Sequence, residues 1–374
     1  MPKVTETTLE IDLRALKHNY KFLKSKLQDN TLFLAVVKAF AYGSDAVVIA
    51  NCLQNLNVDY FAVAYINEGV ALRKAGITTP ILVLHPQVSN LSLAIEHCLE
   101  PSLYTLKILQ EFDRVAHQLN QKNYPVHIKF NTGLNRLGFE SNELDLVIEQ
   151  LDKTTAIKVK SVFSHLAASE DLEEEPFTLN QIDLYKSLST IFIEKLGYPI
   201  IRHLCNTSGV LNYPDAHFDM VRCGIGLYGY SNTDKEAKNL QPIASLKSII
   251  SQIHLVKKGK SVGYNRGFIS PRDSKIATIP IGHADGIGRH FGHGVGVVSI
   301  GHKRAPIVGN VCMDMIMVDV TNVECKEGDE VVFFGPEFSA ETSAAAANTI
   351  SYELITGISQ RVKREVVDTP PKSL

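Results

Sequence analysis

Between Ile11 and about Arg222, short apolar runs alternate with stretches in which apolar residues recur every three or four positions. The first pattern is that of a strand buried on both faces and the second that of an amphipathic helix, so together they predict repeated βα units and a parallel sheet. Strands are expected at 32–38, 60–64, 81–84, 101–103, 126–130, 159–164, 200–204 and 218–221, with helices at 66–75, 105–120, 141–151 and 177–196. Ahead of them Asp12 is placed to cap a helix over 13–27, whose apolar face is Leu16, Tyr20, Leu23 and Leu27. The fourth unit has the weakest helical pattern. Eight strands in about 230 residues match the size of a (β/α)8 barrel, whose chemistry sits in loops at the strands' C-terminal ends.

Near residue 235 the pattern changes. A polar stretch, 232–241, is followed by β-type runs broken by glycine at 243–256, 275–282, 294–300, 305–320 and 330–334. The expected architecture is therefore α/β: a TIM barrel over 1–235 and a mostly antiparallel β domain over 236–374, with a final helix near 339–360.

The barrel rule says where unusual polar residues should fall. Lys38 ends the first strand, Lys129 the fifth with Arg136 in the loop beyond, His165 the sixth and Arg222 the eighth, while Asn206 and Thr207 follow the seventh. That many cationic, imidazole and amide groups on one rim suggest a site for an anionic ligand. Lys38 is open to two readings: a strand-end lysine reaching solvent, or a desolvated amine able to act as nucleophile or base. The loops at 205–209 and 222–229 could cradle a phosphate on backbone N–H groups, the Thr207 hydroxyl and the bare backbone of Gly224. Gly224-x-Gly226-x-x-Gly229 also spells the dinucleotide fingerprint, but a turn follows it rather than an opening helix, and no acid lies near 250 to hold a ribose. In the second half, Tyr264 stands in a polar glycine loop, open to reading as an interface aromatic or a functional group, and Val311-Cys-Met-Asp314 interrupts an apolar strand pair. The loop 283–293 holds three histidines and Asp285 at spacings that match no standard zinc pattern, and no metal is expected.

Composition narrows the setting. The 374 residues carry a formal net charge of −2, which gives no sign of a nucleic-acid or anionic-membrane partner. No apolar run approaches the ~20 residues of a membrane helix. The start, Met-Pro-Lys-Val-Thr-Glu, lacks the features of a signal peptide, so a cytoplasmic protein is expected. Six cysteines (52, 98, 205, 223, 312 and 325) without a CxxC pair read as reduced thiols.

Taken in order, Val36-Val-Lys-Ala-Phe-Ala-Tyr-Gly43, Lys129-Phe-Asn-Thr-Gly-Leu-Asn-Arg-Leu-Gly138, Ser164-His165, His203-Leu-Cys-Asn-Thr-Ser208, Val221-Arg-Cys-Gly-Ile225, Gly263-Tyr264, Pro280–Gly286, Val311-Cys-Met-Asp314 and Ser351-Tyr-Glu353 resemble the alanine racemase family over nearly the whole chain. These are fold-type III pyridoxal-phosphate enzymes with a barrel and a C-terminal β domain. The resemblance implies that Lys38 binds pyridoxal 5'-phosphate and serves as a base on one face of the substrate, with Tyr264 as the base on the other. Tyr264 would be made acidic enough by a polar chain through His165 to Arg222, and Arg222 would face the pyridine nitrogen. It assigns the phosphate to Tyr42, Thr207, Gly224, Ile225 and Tyr352, and counts His165 and Asn206 among the cofactor-binding residues. Arg136, steadied by Lys129, and the Met313 backbone N–H would orient the substrate carboxylate, with Asp314 in support. In the family, Tyr264 and Met313 complete the partner subunit's site, which implies a homodimer acting on alanine and supplying D-alanine for cell-wall peptidoglycan.

The chain departs from the family pattern at Phe40, Ser44, Asp45, Asn131 and His283, none of which removes a catalytic group. Phe40 and His283 bear on the substrate range. The rival functions are a racemase of serine or of broad specificity, a related pyridoxal-phosphate decarboxylase, and a non-catalytic cofactor-binding barrel. Tyr264 and the β domain argue against the last.

Overall fold

Leu32–Val36 is apolar throughout and fully hidden at Phe33, Leu34 and Ala35, as a strand covered on both faces must be. In the computed structural model, which describes residues 5–231 and 237–368, it opens a closed barrel of eight parallel strands. The others are Tyr60–Val63, Ile81–Val83, Glu100–Leu103, Tyr124–Lys129, Ile157–Phe163, Ile201–His203 and Met220–Cys223. Leu34 pairs with Arg222 to close the ring. All eight expected strands are present, and the barrel with its β domain is the fold the hydrophobic pattern predicts.

The helices follow local signals. Asp12 accepts from the backbone N–H groups of Arg14 and Ala15 and starts Leu13–Lys24; Thr105 does the same for Leu106–Gln118 through Ile108. The first helix stops at Lys24 rather than 27 because its last turn tightens, with Lys26 and Leu27 bonding three residues back. The weak fourth unit holds only Leu91–Glu96.

The β domain is a nine-stranded, mainly antiparallel sheet. Two of its strands are absent from the sequence prediction. Thr8–Asp12, from the start of the chain, lies between Ala244–Ile249 and Lys363–Val367, pairing antiparallel with the first and parallel with the second. Lys363–Val367 opens with three charged residues and so shows no apolar run. A small ribbon, Ser261–Val262 with Phe268–Ile269, carries Tyr264 at its tip. The expected helix at 339–360 is two helices, Ala340–Ala346 and Ser351–Thr356, because Asn348 takes a left-handed conformation (φ 54°) that ends the first. Of the polar stretch 232–241, residues 232–236 lie outside the described residues.

Candidate active site

Lys38 follows the first barrel strand by two residues and opens a turn that L-amino acids rarely adopt. Ala39, Phe40, Ala41 and Tyr42 all have φ between 52° and 55°, before Gly43 at 82°. Each such non-glycine residue costs about 1–2 kcal/mol, so the surroundings must hold the turn. The Glu68 carboxylate accepts from the Ala39 N–H at 2.7 Å, Tyr42 stacks on Tyr228 with ring centres 4.4 Å apart, and Arg364 donates to the carbonyls of Gly43 (2.9 Å) and Ser44 (3.3 Å). A Cβ on Gly43 would lie 2.0 Å from the Ile355 carbonyl oxygen, so helix Ser351–Thr356 of the β domain presses directly on the turn. Neither Glu68 nor Arg364 stands out in the sequence, since each is one charged residue among many.

The turn delivers Lys38 into a cluster of cations. Its amine lies below the ordinary lysine range, first because of burial, then because of Arg136, with Glu68 opposing. Lys129, whose ammonium lies 5.8 Å from the Phe163 ring centre, is brought to about 7 by burial and by Arg136, Arg222 and Lys38. A group of positive charges this close together is stable only with an anion among them. Arg136 itself is exposed.

Arg222 is buried and bound on both ends of its guanidinium. Nη1 donates to His203 Nδ1 (2.7 Å) and to the His203 carbonyl (3.1 Å). Nη2 donates to the carbonyls of Ser164 (2.5 Å) and Leu204 (2.9 Å) and shares one of these two hydrogens with His165 Nδ1 (3.2 Å). Because a guanidinium cannot accept, His165 Nδ1 is the acceptor and its ring proton sits on Nε2. Burial and the neighbouring Arg222 hold His165 neutral.

The loops after the seventh and eighth strands meet at one point. The N–H groups of Gly224 and Gly226 both approach Thr207 Oγ1 at 3.3 Å, and Ile225 begins the buried 3-10 turn between them. A Cβ on Gly224 would lie 2.3 Å from the Tyr42 hydroxyl, so only glycine lets that phenol reach the loop. Tyr352 lies 6.1 Å from Tyr42, centre to centre. Asn206 is committed elsewhere: its side-chain oxygen caps the Thr207–Asn212 helix at Gly209 and accepts from Ser169.

Tyr264 and Met313 stand apart from this cluster, 75% and 59% exposed. They share a face of the β domain, since Asn310, just ahead of the Cys312–Met315 turn, donates to the Tyr264 carbonyl at 3.0 Å. Asp314 is held by Arg361, which also binds Asp285, and Asp285 in turn accepts from the Gly282 N–H. Asp285 is thus a structural clamp within the histidine-rich loop, and Arg361 is a partner that the sequence motifs did not point to.

A barrel rim bearing a desolvated amine, a buried guanidinium and an anion cradle defines an enzyme that handles a phosphorylated, carbonyl-bearing group. Two family descriptions match the chain: "Alanine racemase, N-terminal domain" over residues 11–232 and "Alanine racemase, C-terminal domain" over 243–366. Alanine racemase 2 of Caldanaerobacter subterraneus subsp. tengcongensis is 36% identical over 372 residues, covering 97% of this chain and 95% of that protein. The solved alanine racemase of Clostridium difficile 630 superposes with a TM-score of 0.91 at 34% identity, over 98% of this chain and 96% of that one. That of Bartonella henselae, with covalently bound pyridoxal phosphate, gives 0.87 at 30% identity, over 97% and 100%. This chain belongs to the alanine racemase family.

Proposed function

We propose that the chain is a pyridoxal-phosphate-dependent alanine racemase, interconverting L- and D-alanine, and that it works as a cytoplasmic homodimer supplying D-alanine for peptidoglycan. Lys38 carries the reading: a desolvated amine on the barrel rim, held in a costly turn amid cations. The relatives named above are alanine racemases, which favours alanine over serine and racemisation over decarboxylation. No helix among the described residues is long and apolar enough to cross a membrane.

The residues present fit the cofactor. The Gly224 and Gly226 N–H groups, Thr207 and the Tyr42 phenol, admitted by the missing Cβ of Gly224, suit a phosphate, with Ile225, Asn206 and Tyr352 around it. Pyridoxal phosphate bound there supplies a conjugated ring that takes up the electron pair left when the α-proton departs. Lys38 Nζ would hold it covalently and, once released, take or return the α-proton on one face. Arg222 has its four Nη hydrogens engaged, which leaves Nε–H for the ring nitrogen; a guanidinium donates there without giving up its proton. Arg136, with Lys129 beside it, and the Met313 N–H would hold the substrate carboxylate, with Asp314 keeping the Met313 turn in place through Arg361.

The second proton group is Tyr264 of the partner subunit. Its high exposure and that of Met313 in one chain support a site finished by a second copy. An ordinary phenol is a poor base at neutral pH. The His165 Nε2–H, its direction fixed by Arg222, is the donor that would favour phenolate at Tyr264 of the partner subunit.

Gly224→Ala should weaken pyridoxal phosphate binding without unfolding the barrel. The added methyl displaces the Tyr42 hydroxyl, and overpacking of this kind costs about 1–3 kcal/mol, roughly five- to 150-fold in Kd. Cofactor titration with circular dichroism checks it; an unchanged Kd would place the phosphate elsewhere. The function itself is tested by giving the purified protein pyridoxal phosphate and single L-amino acids and following chirality and released carbon dioxide. Racemisation of alanine is expected. Carbon dioxide release, or preference for another amino acid, would contradict the assignment.

A further inference from the structure

The barrel interior contains a line of polar side chains that the proposed chemistry does not use. TIM-barrel interiors are ordinarily filled by branched apolar residues. Here His127, Ser161 and His203, on three consecutive strands, are wholly buried. They face one another by register: His127 pairs with Ser161, and Phe163, two residues on, pairs with His203. Their hydrogen bonds join end to end. Arg222 Nη1 meets His203 Nδ1 at 2.7 Å, His203 Nε2 meets Ser161 Oγ at 2.8 Å, Ser161 Oγ meets His127 Nδ1 at 2.5 Å, and His127 Nε2 meets Glu100 Oε2 at 2.7 Å. Glu100 is 13% exposed at its side chain and also accepts from Tyr60.

Elementary valence fixes the direction of the first two links. A guanidinium only donates, so His203 accepts on Nδ1 and carries its proton on Nε2. That proton goes to the Ser161 oxygen, and with a singly protonated His127 the Ser161 hydrogen points at His127 Nδ1. His127 is left with its proton on Nε2, aimed at the Glu100 carboxylate. All four bonds run from cation to anion, the arrangement in which each polarises the next.

The chain meets a need at Arg222. None of the guanidinium's hydrogen-bond partners is charged, and beside its burial the positive charge of Arg136 works against the protonated state. Burial brings it down to about 10. A buried charge without an opposite charge is costly, and apolar replacements of buried ion networks are often neutral or stabilising, so packing alone does not account for this line.

We propose that Glu100 is the remote counter-charge of Arg222 and that His203, Ser161 and His127 form a positioning chain that keeps the guanidinium protonated and fixed at the reacting ring. None of these four residues touches substrate. The inference rests on Arg222 having the role proposed above.

Glu100→Gln removes the charge while keeping size and an acceptor. Its kcat for L-alanine should fall about tenfold, as loss of an outer-shell partner does, with KM within about twofold of wild type. In the cofactor-free protein, 15N-histidine NMR should show His203 neutral with its proton on Nε2, and Glu100→Gln should shift the His203 resonances although His203 does not touch Glu100. Unchanged kcat, or His203 resonances that do not move in the folded variant, would overturn the proposal. So would a His203 protonated on Nδ1 in the wild type, which decides the matter even if the variant fails to fold. Wild-type racemisation, measured alongside, separates the two claims: its absence would sink the functional reading, while the apoprotein spectra still judge the chain.

Discussion

Lys38→Ala is expected to lower alanine racemisation by about 10⁴-fold or more, because one side chain both anchors the cofactor and moves a proton. The variant should also lose the visible absorbance change that pyridoxal phosphate undergoes when an amine binds it covalently. Two features make Lys38 fit for this: burial and Arg136 hold its amine below the ordinary lysine range, and the turn from Ala39 to Tyr42, each residue at positive φ, fixes where it begins. Arginine or histidine cannot replace it, as neither offers a primary amine. The structure should survive the truncation, since the turn is held by Glu68, Arg364 and the Tyr42–Tyr228 stack rather than by the lysine. Absorbance spectra of wild type and variant with pyridoxal phosphate check the claim; an unchanged spectral shift in Lys38→Ala would show that another lysine holds the cofactor.

Lys38→Ala and Tyr264→Phe subunits, each nearly inactive alone, should regain activity when mixed. In the mixed dimer one site combines both substitutions and is dead, while the other has Lys38 of one subunit and Tyr264 of the partner subunit, both intact. Random reassociation yields about half mixed dimers with one working site of two, hence about a quarter of wild-type activity. The expectation follows from the exposure of Tyr264 and Met313 in one chain and their shared face through Asn310. Refolding or subunit exchange followed by a racemisation assay measures it. Recovery no greater than the sum of the two variants would place both groups in one subunit's site, and Tyr264 would then lose its assigned role.

What was legible in the sequence and what was not divides along physical lines. The first barrel strands were legible because burial on both faces leaves unbroken apolar runs, as in Phe33-Leu-Ala-Val36 and Tyr60–Val63. Lys38, Lys129 and Arg222 stood out because each interrupts or ends such a run at the same rim. Thr8–Asp12 and Lys363–Val367 were missed because they carry charged residues and pair only with strands far away in the chain. The left-handed turn after Lys38 was invisible, since Ala39 and Phe40 carry no preference for positive φ and the cost is met by Glu68 and Arg364 at a distance.

The interior chain was half-legible. His127 stands two residues before Lys129, and period-2 alternation puts both on the same face of the strand. That places a histidine inside the barrel from sequence alone. Its link to Glu100, Ser161 and His203 needed the register of four strands. The family resemblance supplied the roles of Lys38 and Tyr264; the structure adds why His165 must donate from Nε2, which is the bond from Arg222.

The opposed pairing of Lys38 with Tyr264 of the partner subunit is tested most directly by racemising L-alanine in deuterated water and reading the α-position of the first D-alanine formed. Two separate groups remove one hydrogen and return another from solvent, so the product should carry deuterium at Cα from the earliest turnovers. D-alanine that keeps its original α-hydrogen would mean that a single group carries the proton across, and would contradict the two-base account.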